Sequence, residues 1–532
     1  MILTRALGER FLWVDSLCII QDDQEDVARQ IGSMDEVYLN STLTIVAYHG
    51  SSAQAGLPGI GKLPRSQVQV KLETEGLKLT TLLPLRSIKE NIAQTPWGAR
   101  AWTHQEELLS SRLLFVMTDQ VTFECKGNCH FYEEMTEGRS FLTSIATEAS
   151  REELSKTFTP FFPLSIFKES SSSFEAYDEL VSEYTTRNLT NPRDIINAIW
   201  GTLRRLMVVF QYTPICNGIP IAAIDSALLW QPAGSCVRRC DRDTGREIYP
   251  SWSWAGWEGA ITYNLFAGIP ETLESTIKWE EDDTRLQHER ARRRSGVPEF
   301  KPEDWERIVV EGKRPQPRTL RIDYKHVTGD PKIRFHKPIN VDECLRIFSG
   351  INPGDGYLRF CSKSALFSIT GKHTKLHVGT CTETSRVHKT CPLSVFDANG
   401  NVAGTVLVDT SITPSLCNES QEFIALSRTT IYSTPDDLAW DSEAQIFQKH
   451  LSEDPSKRAA KLAEFRAETP TMENNGLLYW FDHRKFEREM AWPLYNVLLV
   501  IRENGVMYRR GLGKIHVDAF DPVATDGHFV LG

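Results

Sequence analysis

Three groups of residues have types that could support chemistry. Cys125-x3-Cys129-His130 and Cys236-x3-Cys240 carry metal-ligating side chains. Neither completes a four-ligand set at the spacing of zinc sites, so no metal is expected. Cys18 has no His close in sequence to serve as its base. It reads as a buried thiol, with a cysteine hydrolase as the minor alternative. Asp15 and Gln21 follow the apolar run Phe11-Leu-Trp-Val-Asp15. If that run is a buried strand, they sit beyond its carboxyl end, where open α/β sheets place ligands. Asp22 and Asp23 read instead as helix caps.

The elements that must position these residues follow from periodicity. Val27, Ile31, Met34 and Tyr38 recur at helical spacing, which predicts one helix from the Asp22/Asp23 cap to about Leu39. Asn40-Ser ends it, and Thr42-Leu-Thr-Ile-Val-Ala47 is β-branched enough for a second strand. Strand, helix and strand predict a βαβ unit. Residues 50–66 form a Gly-, Ser- and Pro-rich loop, and residues 67–83 alternate as an antiparallel pair would, together an insertion. A helix is predicted from Trp97 to about Leu109, then a hairpin of Leu113–Met117 and Val121–Cys125.

Residues 140–173 are Ser-rich and suit a connection, followed by helices at 174–186 and 192–208, the second with Asn191 as cap and Pro192 in its first turn. In Pro250-Ser-Trp-Ser-Trp-Ala-Gly-Trp, alternation predicts Trp252 and Trp254 on one strand face. With Trp97 and Trp102 they are assigned to packing. Residues 268–318 are dense in charge and read as a solvated helix or linker. Beyond Leu320 the pattern is β-type, with a charged helix near 440–467.

A chain of 532 residues implies more than one domain. Its 41% hydrophobic content, with 13 Trp and 25 Phe, excludes a disordered chain. A net charge of -10 gives no long-range attraction to phosphate backbones, so nucleic acid is not an expected partner. The sequence has no basic-then-apolar leader with a cleavage site and no run long enough for a transmembrane segment, so a cytoplasmic location is expected. The eleven Cys are expected as reduced thiols, and the glycosylation patterns at Asn40, Asn188 and Asn418 carry no weight without secretion.

Leu12-Trp-Val-Asp-Ser-Leu-Cys-Ile-Ile-Gln-Asp-Asp23, with Met34 and Tyr38 beyond it, resembles the central signature of the fungal HET (heterokaryon incompatibility) domain. Trp97-Gly-Ala-Arg-Ala-Trp-Thr-His-Gln-Glu-Glu resembles that family's second signature, Trp-x-x-Arg-x-Trp-Thr-x-Gln-Glu. The motif positions are therefore Trp13, Asp15, Cys18, Gln21, Asp22, Asp23, Met34, Tyr38, Trp97, Arg100, Trp102, Thr103, Gln105 and Glu106. Arg187-Asn-Leu-Thr, Asp194-Ile-Ile-Asn-Ala, Leu228-Leu-Trp and Pro250–Trp257 resemble segments that recur after HET domains. Family members also carry an upstream Leu-Ser-Tyr-x-Trp-Gly strand, so the expectation is a domain lacking its first strand, truncated at its N-terminus. Such a sheet exposes backbone at a cost comparable with a net stability of about 5–15 kcal/mol.

The resemblance implies an α/β fold: a partial TIR-like/flavodoxin-like HET domain over residues 1–135, a family-associated helical and β extension over 136–267, a charged linker or helix over 268–319, and a β-rich C-terminal region over 320–532. It also implies an effector of non-self recognition and programmed cell death, acting with a protein partner from an incompatibility system and by self-association. TIR-like domains imply one alternative, an NAD-cleaving hydrolase with NAD as substrate. Some place a catalytic Glu in Trp-Cys-x-x-Glu-Leu, and Trp102 and Glu106 share that separation. Glu106 is then the catalytic candidate, its carboxylate stabilising oxocarbenium character on the ribose, while Asp15 and Gln21 orient a ribose or a water. The competing reading of Glu106 is a solvated or salt-bridged helix residue, paired with Arg100. A catalytically silent interaction domain or truncated relic is the third reading of the chain.

Overall fold

The computed structural model describes residues 1–50, 52, 54–66, 71–74, 76–80, 95–125, 129–132, 173–207, 210–263, 273–296, 339–351, 355–369, 390–409, 420–432 and 491–532. The expected connection at 140–172, the charged helix near 440–467 and residues 297–318 of the expected linker lie outside the described residues. Helices and strands contribute about equally, which makes the fold mixed α/β. The chain divides into two units, one of Met1–Tyr212, Asp241–Thr244 and Arg294–Phe335, the other of Thr213–Cys240, Gly245–Arg293 and His336–Gly532.

In the first unit, Asp23 caps helix α1 (Gln24–Ile31) by accepting from the backbone of Glu25 at 2.9 Å and Asp26 at 3.2 Å. The single helix expected to reach Leu39 is two, because Gly32 and Ser33 interrupt it before α2 (Met34–Asn40). Met34 and Tyr38 are buried from α2. Strand β1 (Thr44–Ala47) follows, then the inserted hairpin of β2 (Lys71–Thr74) and β3 (Leu77–Thr80), helix α3 (Ala101–Leu109), and strands β4 (Arg112–Val116), β5 (Val121–Cys125) and β6 (Cys129–Tyr132).

The Phe11–Asp15 run is not a strand. Val14 is extended, but the chain turns at once into a short helix at Asp15–Cys18. Among the described residues no strand pairs with this run, and Phe11 is 83% exposed. Apolar residues alone do not make a strand; its N–H and C=O groups need a neighbour to pair with. A parallel βαβ unit does form, from other elements: β1 pairs in parallel with β4 across the α3 connection, with Val46 opposite Phe115. The sheet order is β1-β4-β5-β6, with the last two pairings antiparallel. Val46, Leu113, Phe115, Met117 and Trp97 form the cluster on this sheet, consistent with burial as the main driving term.

Helices α4 (Ser173–Tyr184) and α5 (Asn197–Leu206) complete this unit. Asn191 caps the turn before α5, accepting from Arg193 N at 3.1 Å. At Gly201, α5 comes so close to its neighbours that an added Cβ would lie 2.3 Å from Asp35 Cβ and 2.5 Å from Gln105 Oε1. The same Gln105 oxygen accepts from Gly201 N at 2.9 Å. Arg204 pairs with the buried Asp35 beside it.

In the second unit, residues 273–296 of the charge-dense stretch supply β7 (Glu274–Ser275), β8 (Lys278–Trp279) and helix α6 (Asp283–Gly296). Helix α7 (Val341–Gly350) precedes β9 (Leu358–Ile369), β10 (Thr390–Phe396), β11 (Val402–Asp409), β12 (Ser420–Tyr432), β13 (Ala491–Glu503), β14 (Val506–His516) and β15 (Thr525–Leu531). Pairings β9–β12, β12–β13, β13–β14, β14–β11, β11–β10 and β10–β9 close a ring of six antiparallel strands. Phe367, Phe423, Val497, Leu499, Ile515 and Phe520 share one apolar cluster, while Leu366 is exposed, as strand alternation requires.

The Pro250–Trp257 motif is a tight turn with a 3-10 helix at Trp254–Gly256, not the expected strand. Its polar groups are drawn to non-strand partners: Ser253 Oγ accepts from Ala255 N at 2.9 Å, Trp252 Nε1 donates to Gly356 O at 3.1 Å, and Trp257 Nε1 donates to Ser251 O at 2.9 Å. Trp252 and Trp254 are nonetheless buried.

The close approach at Gly201 gives a direct check. Gly201→Ala should lower the unfolding free energy by about 1–3 kcal/mol through overpacking against α2 and α3, measured by urea denaturation.

Candidate functional site

Helix α3 carries most of the second motif, and three contacts fix it in place. The Thr103 hydroxyl lies 2.6 Å from Trp97 O and 2.7 Å from Arg100 O, closing the turn that leads into the helix. Gln105 holds α5 through Gly201 N. Arg187, in the segment after α4, donates to Glu107 Oε2 at 2.9 Å, to Glu183 Oε1 at 3.0 Å and to Thr103 Oγ1 at 3.3 Å. The Arg187 and Glu107 side chains are almost wholly buried. Burial pushes the Glu107 carboxyl up, and Arg187 opposes that shift. Asn188 N donates to Ala99 O at 2.6 Å and Asn188 O accepts from Ala101 N at 2.9 Å, so the 187–190 segment is stitched to the start of α3. His104 is fully buried and held neutral by burial, with Arg187 adding to the effect.

Successive helix residues are rotated by about 100°, so Glu106 and Glu107 face different surroundings. Glu106 is half-buried. The Tyr38 hydroxyl, the Trp97 indole, Arg100 and Asp15 lie close enough to its carboxyl to act on its proton affinity. Burial is the largest influence and pushes the carboxyl above its ordinary range; Arg100, Trp97 and Tyr38 pull it back, and Asp15 adds to the rise. The Tyr38 phenol is pushed far up by its own burial and by Glu106 and Asp15, so it remains a donor. Trp13 meets the Tyr38 ring edge-on at 5.9 Å, and Trp13 and Trp102 pack on the apolar cluster of Met34, Tyr38 and Leu109. The site is therefore a carboxyl group in a polar niche with an aromatic wall, contributed by α2, α3, the Trp97–Arg100 turn before it and the Asp15 turn.

The motif positions divide by role. Asp15, Tyr38, Trp97, Arg100 and Glu106 converge. Gln21 uses its amide on its own loop, donating to Asp15 O at 3.2 Å and Ile19 O at 3.1 Å, which orients the backbone that carries Asp15. Asp22 is exposed, and Asp23 is the α1 cap. Cys18 is exposed rather than buried, because the turn at Asp15–Cys18 faces it outward; its sulfur accepts from Val14 N at 3.5 Å. The reading of Glu106 as a solvated or salt-bridged residue paired with Arg100 keeps only the Arg100 interaction. Among the described residues, no group of three or more His, Cys, Asp or Glu converges as a metal site would.

Sequence reasoning missed Tyr38 as the partner of Glu106 and Arg187 as the partner of Glu107. Both positions stood inside quoted motifs, so their presence was visible, but neither pairing has a local spacing to betray it.

Residues 1–106 match the family described as Heterokaryon incompatibility protein (HET). The segment ends on Glu106 and spans every motif position from Trp13 onward, and the protein carries a heterokaryon incompatibility domain over that stretch. No curated protein and no solved structure matches the chain.

The two neighbouring glutamates should respond differently to substitution. Glu107→Ala removes the buried partner of Arg187, leaving it only the half-exposed Glu183 and Thr103, and should cost about 3 kcal/mol, whereas Glu106→Gln keeps the size and polarity of the side chain and should cost about 1 kcal/mol or less. Chemical denaturation of the two variants beside the parent checks this.

Proposed function

We propose that this protein is a fungal heterokaryon-incompatibility effector, acting from the cytoplasm, whose HET domain promotes programmed cell death when a non-self protein partner is sensed. The family match over residues 1–106 carries the incompatibility role; self-association of the domain is the trigger in this reading. Among the described residues no helix is long and apolar enough to cross a membrane.

The geometry around Glu106 favours a second reading, a TIR-like NAD glycohydrolase. In that reading the bond from the ribose C1′ to the nicotinamide nitrogen breaks, and the electron pair leaves with nicotinamide. Glu106, ionised, stabilises the cationic sugar. A water then bonds to C1′ and gives up a proton to Glu106 or to solvent. Asp15 would orient the ribose or the water. Gln21 would act at one remove, by holding the Asp15 turn. The raised proton affinity of Glu106 suits the proton-accepting step and would be lowered by a cationic substrate beside it. A domain that is catalytically silent and works only by interaction keeps the same niche as a structural feature.

Induced expression of the full chain in a fungal host, with viability and cellular NAD followed together, tests both readings. Death is expected with the parent chain. If NAD falls and a folded Glu106→Gln variant abolishes both effects, the hydrolase reading stands; if death persists in that variant with NAD intact, signalling by assembly stands. Full viability with a well-expressed parent chain, with its protein partner supplied, would refute the effector role.

A further inference from the structure

Within the second unit, β14 and the 230–257 segment enclose a cavity of about 180 Å³. Three of its ten lining residues are arginines, Arg238, Arg509 and Arg510, and none is acidic. Trp230 and Trp257, with ring centroids 5.9 Å apart, supply aromatic walls.

Arg509 is the deepest of the three, only 3% exposed. Its guanidinium donates to Leu228 O at 2.7 Å and to Trp230 O, and lies 3.8 Å from the centroid of the Trp230 ring. Carbonyl dipoles and an aromatic face soften the burial of a cation, but they do not neutralise it. Among the described residues no carboxylate reaches Arg509, and two hydrogen bonds leave three of its five N–H donors for another acceptor. Arg238 stacks over Trp257 at 5.1 Å, pairs with Glu247 at 2.6 Å and donates to Gly256 O at 2.7 Å and Tyr249 O at 2.8 Å, while Arg510 approaches Glu503 only at 3.9 Å. With those two acids counted, the cluster still carries the uncompensated charge of Arg509. Burial without a counter-anion pushes Arg509 down to about 9, which leaves it protonated at neutral pH.

We propose that this cavity binds the phosphate group of a small phosphate-bearing ligand, with Arg509 beneath it and Arg238 and Arg510 beside it. The charge selects an anion, and convergent guanidinium groups suit a phosphate's several oxygens. The size selects a group rather than a whole cofactor: 180 Å³ equals about six water volumes at ~30 Å³ each, below the ~300 Å³ at which drug-sized pockets begin. Any organic body attached to the phosphate would extend outward, past Trp257. This site involves none of the Glu106 residues, so it stands or falls apart from the proposed function.

Calorimetric titration of the purified full chain, at constant ionic strength in chloride, tests the site. The probes are inorganic phosphate, adenosine 5′-monophosphate, adenosine and acetate. Saturable one-to-one binding is expected for the two phosphate probes and none for adenosine. A monophosphate that binds more tightly than inorganic phosphate points to an organic phosphate ester, and equal affinities point to the free ion. Arg510→Gln, at a partly exposed position, should weaken binding by about tenfold, and Arg509→Lys should weaken it further, each in a variant whose circular dichroism matches the parent. No saturable binding of either phosphate probe, acetate binding as tightly as phosphate, or unchanged affinity in Arg510→Gln would overturn the proposal.

Discussion

Arg187 reaches the buried carboxylate of Glu107 at 2.9 Å, and this pair determines which way helix α3 can face. A helix roll that separated them would leave the Glu107 carboxyl without its hydrogen-bond partner in a low-dielectric interior. Glu183 and Thr103 share the same guanidinium, so α3 and the segment after α4 are joined at one point. Gln105 adds a second fixed point on α5. With both in place, Glu106 faces Tyr38, Trp97, Arg100 and Asp15. The segment containing Arg187 lies outside the family match, which ends at residue 106; the first unit therefore depends on residues beyond its matched stretch.

The second unit uses related physics with different partners. Two of its buried cations are met by dipoles instead of carboxylates: Arg509 by two carbonyls and a tryptophan face, and Lys514 by Asn496 Oδ1 at 2.7 Å. Burial pushes the Lys514 ammonium down to about 7. The Pro250–Trp257 turn adds an attachment of the 213–263 segment to the strands, since Ser251 N donates to Gly532 O at 2.9 Å and Ser251 Oγ accepts from Arg509 N at 2.9 Å. A motif that reads as aromatic packing from sequence thus also acts through its hydroxyls and backbone.

Much of the fold was legible where local chemistry decides it. The Asp23 and Asn191 caps, the α3 helix, the β4–β5 hairpin and the β-type pattern beyond Leu320 follow from side-chain hydrogen bonding, periodicity and β-branching over a few residues. The failures lie where a distant partner decides. Phe11–Asp15 has strand composition but no pairing partner among the described residues, and the Trp252–Trp254 alternation was overridden by Ser253 and two indole N–H groups. For the site, sequence supplied Glu106 and Asp15 but not the contrast between Glu106 and Glu107, which depends on Arg187 some 80 residues away.

The titration of the Glu106 carboxyl, followed by carbon-detected nuclear magnetic resonance in the parent chain and in Arg187→Gln, tests the central link between the buried pair and the niche. The expected result is a carboxyl that titrates above the ordinary glutamate range in the parent and moves back toward it once Arg187 is removed and α3 is free to turn. An ordinary value in the parent, or the same raised value in both proteins, would contradict the dependence of the Glu106 niche on the Arg187–Glu107 pair.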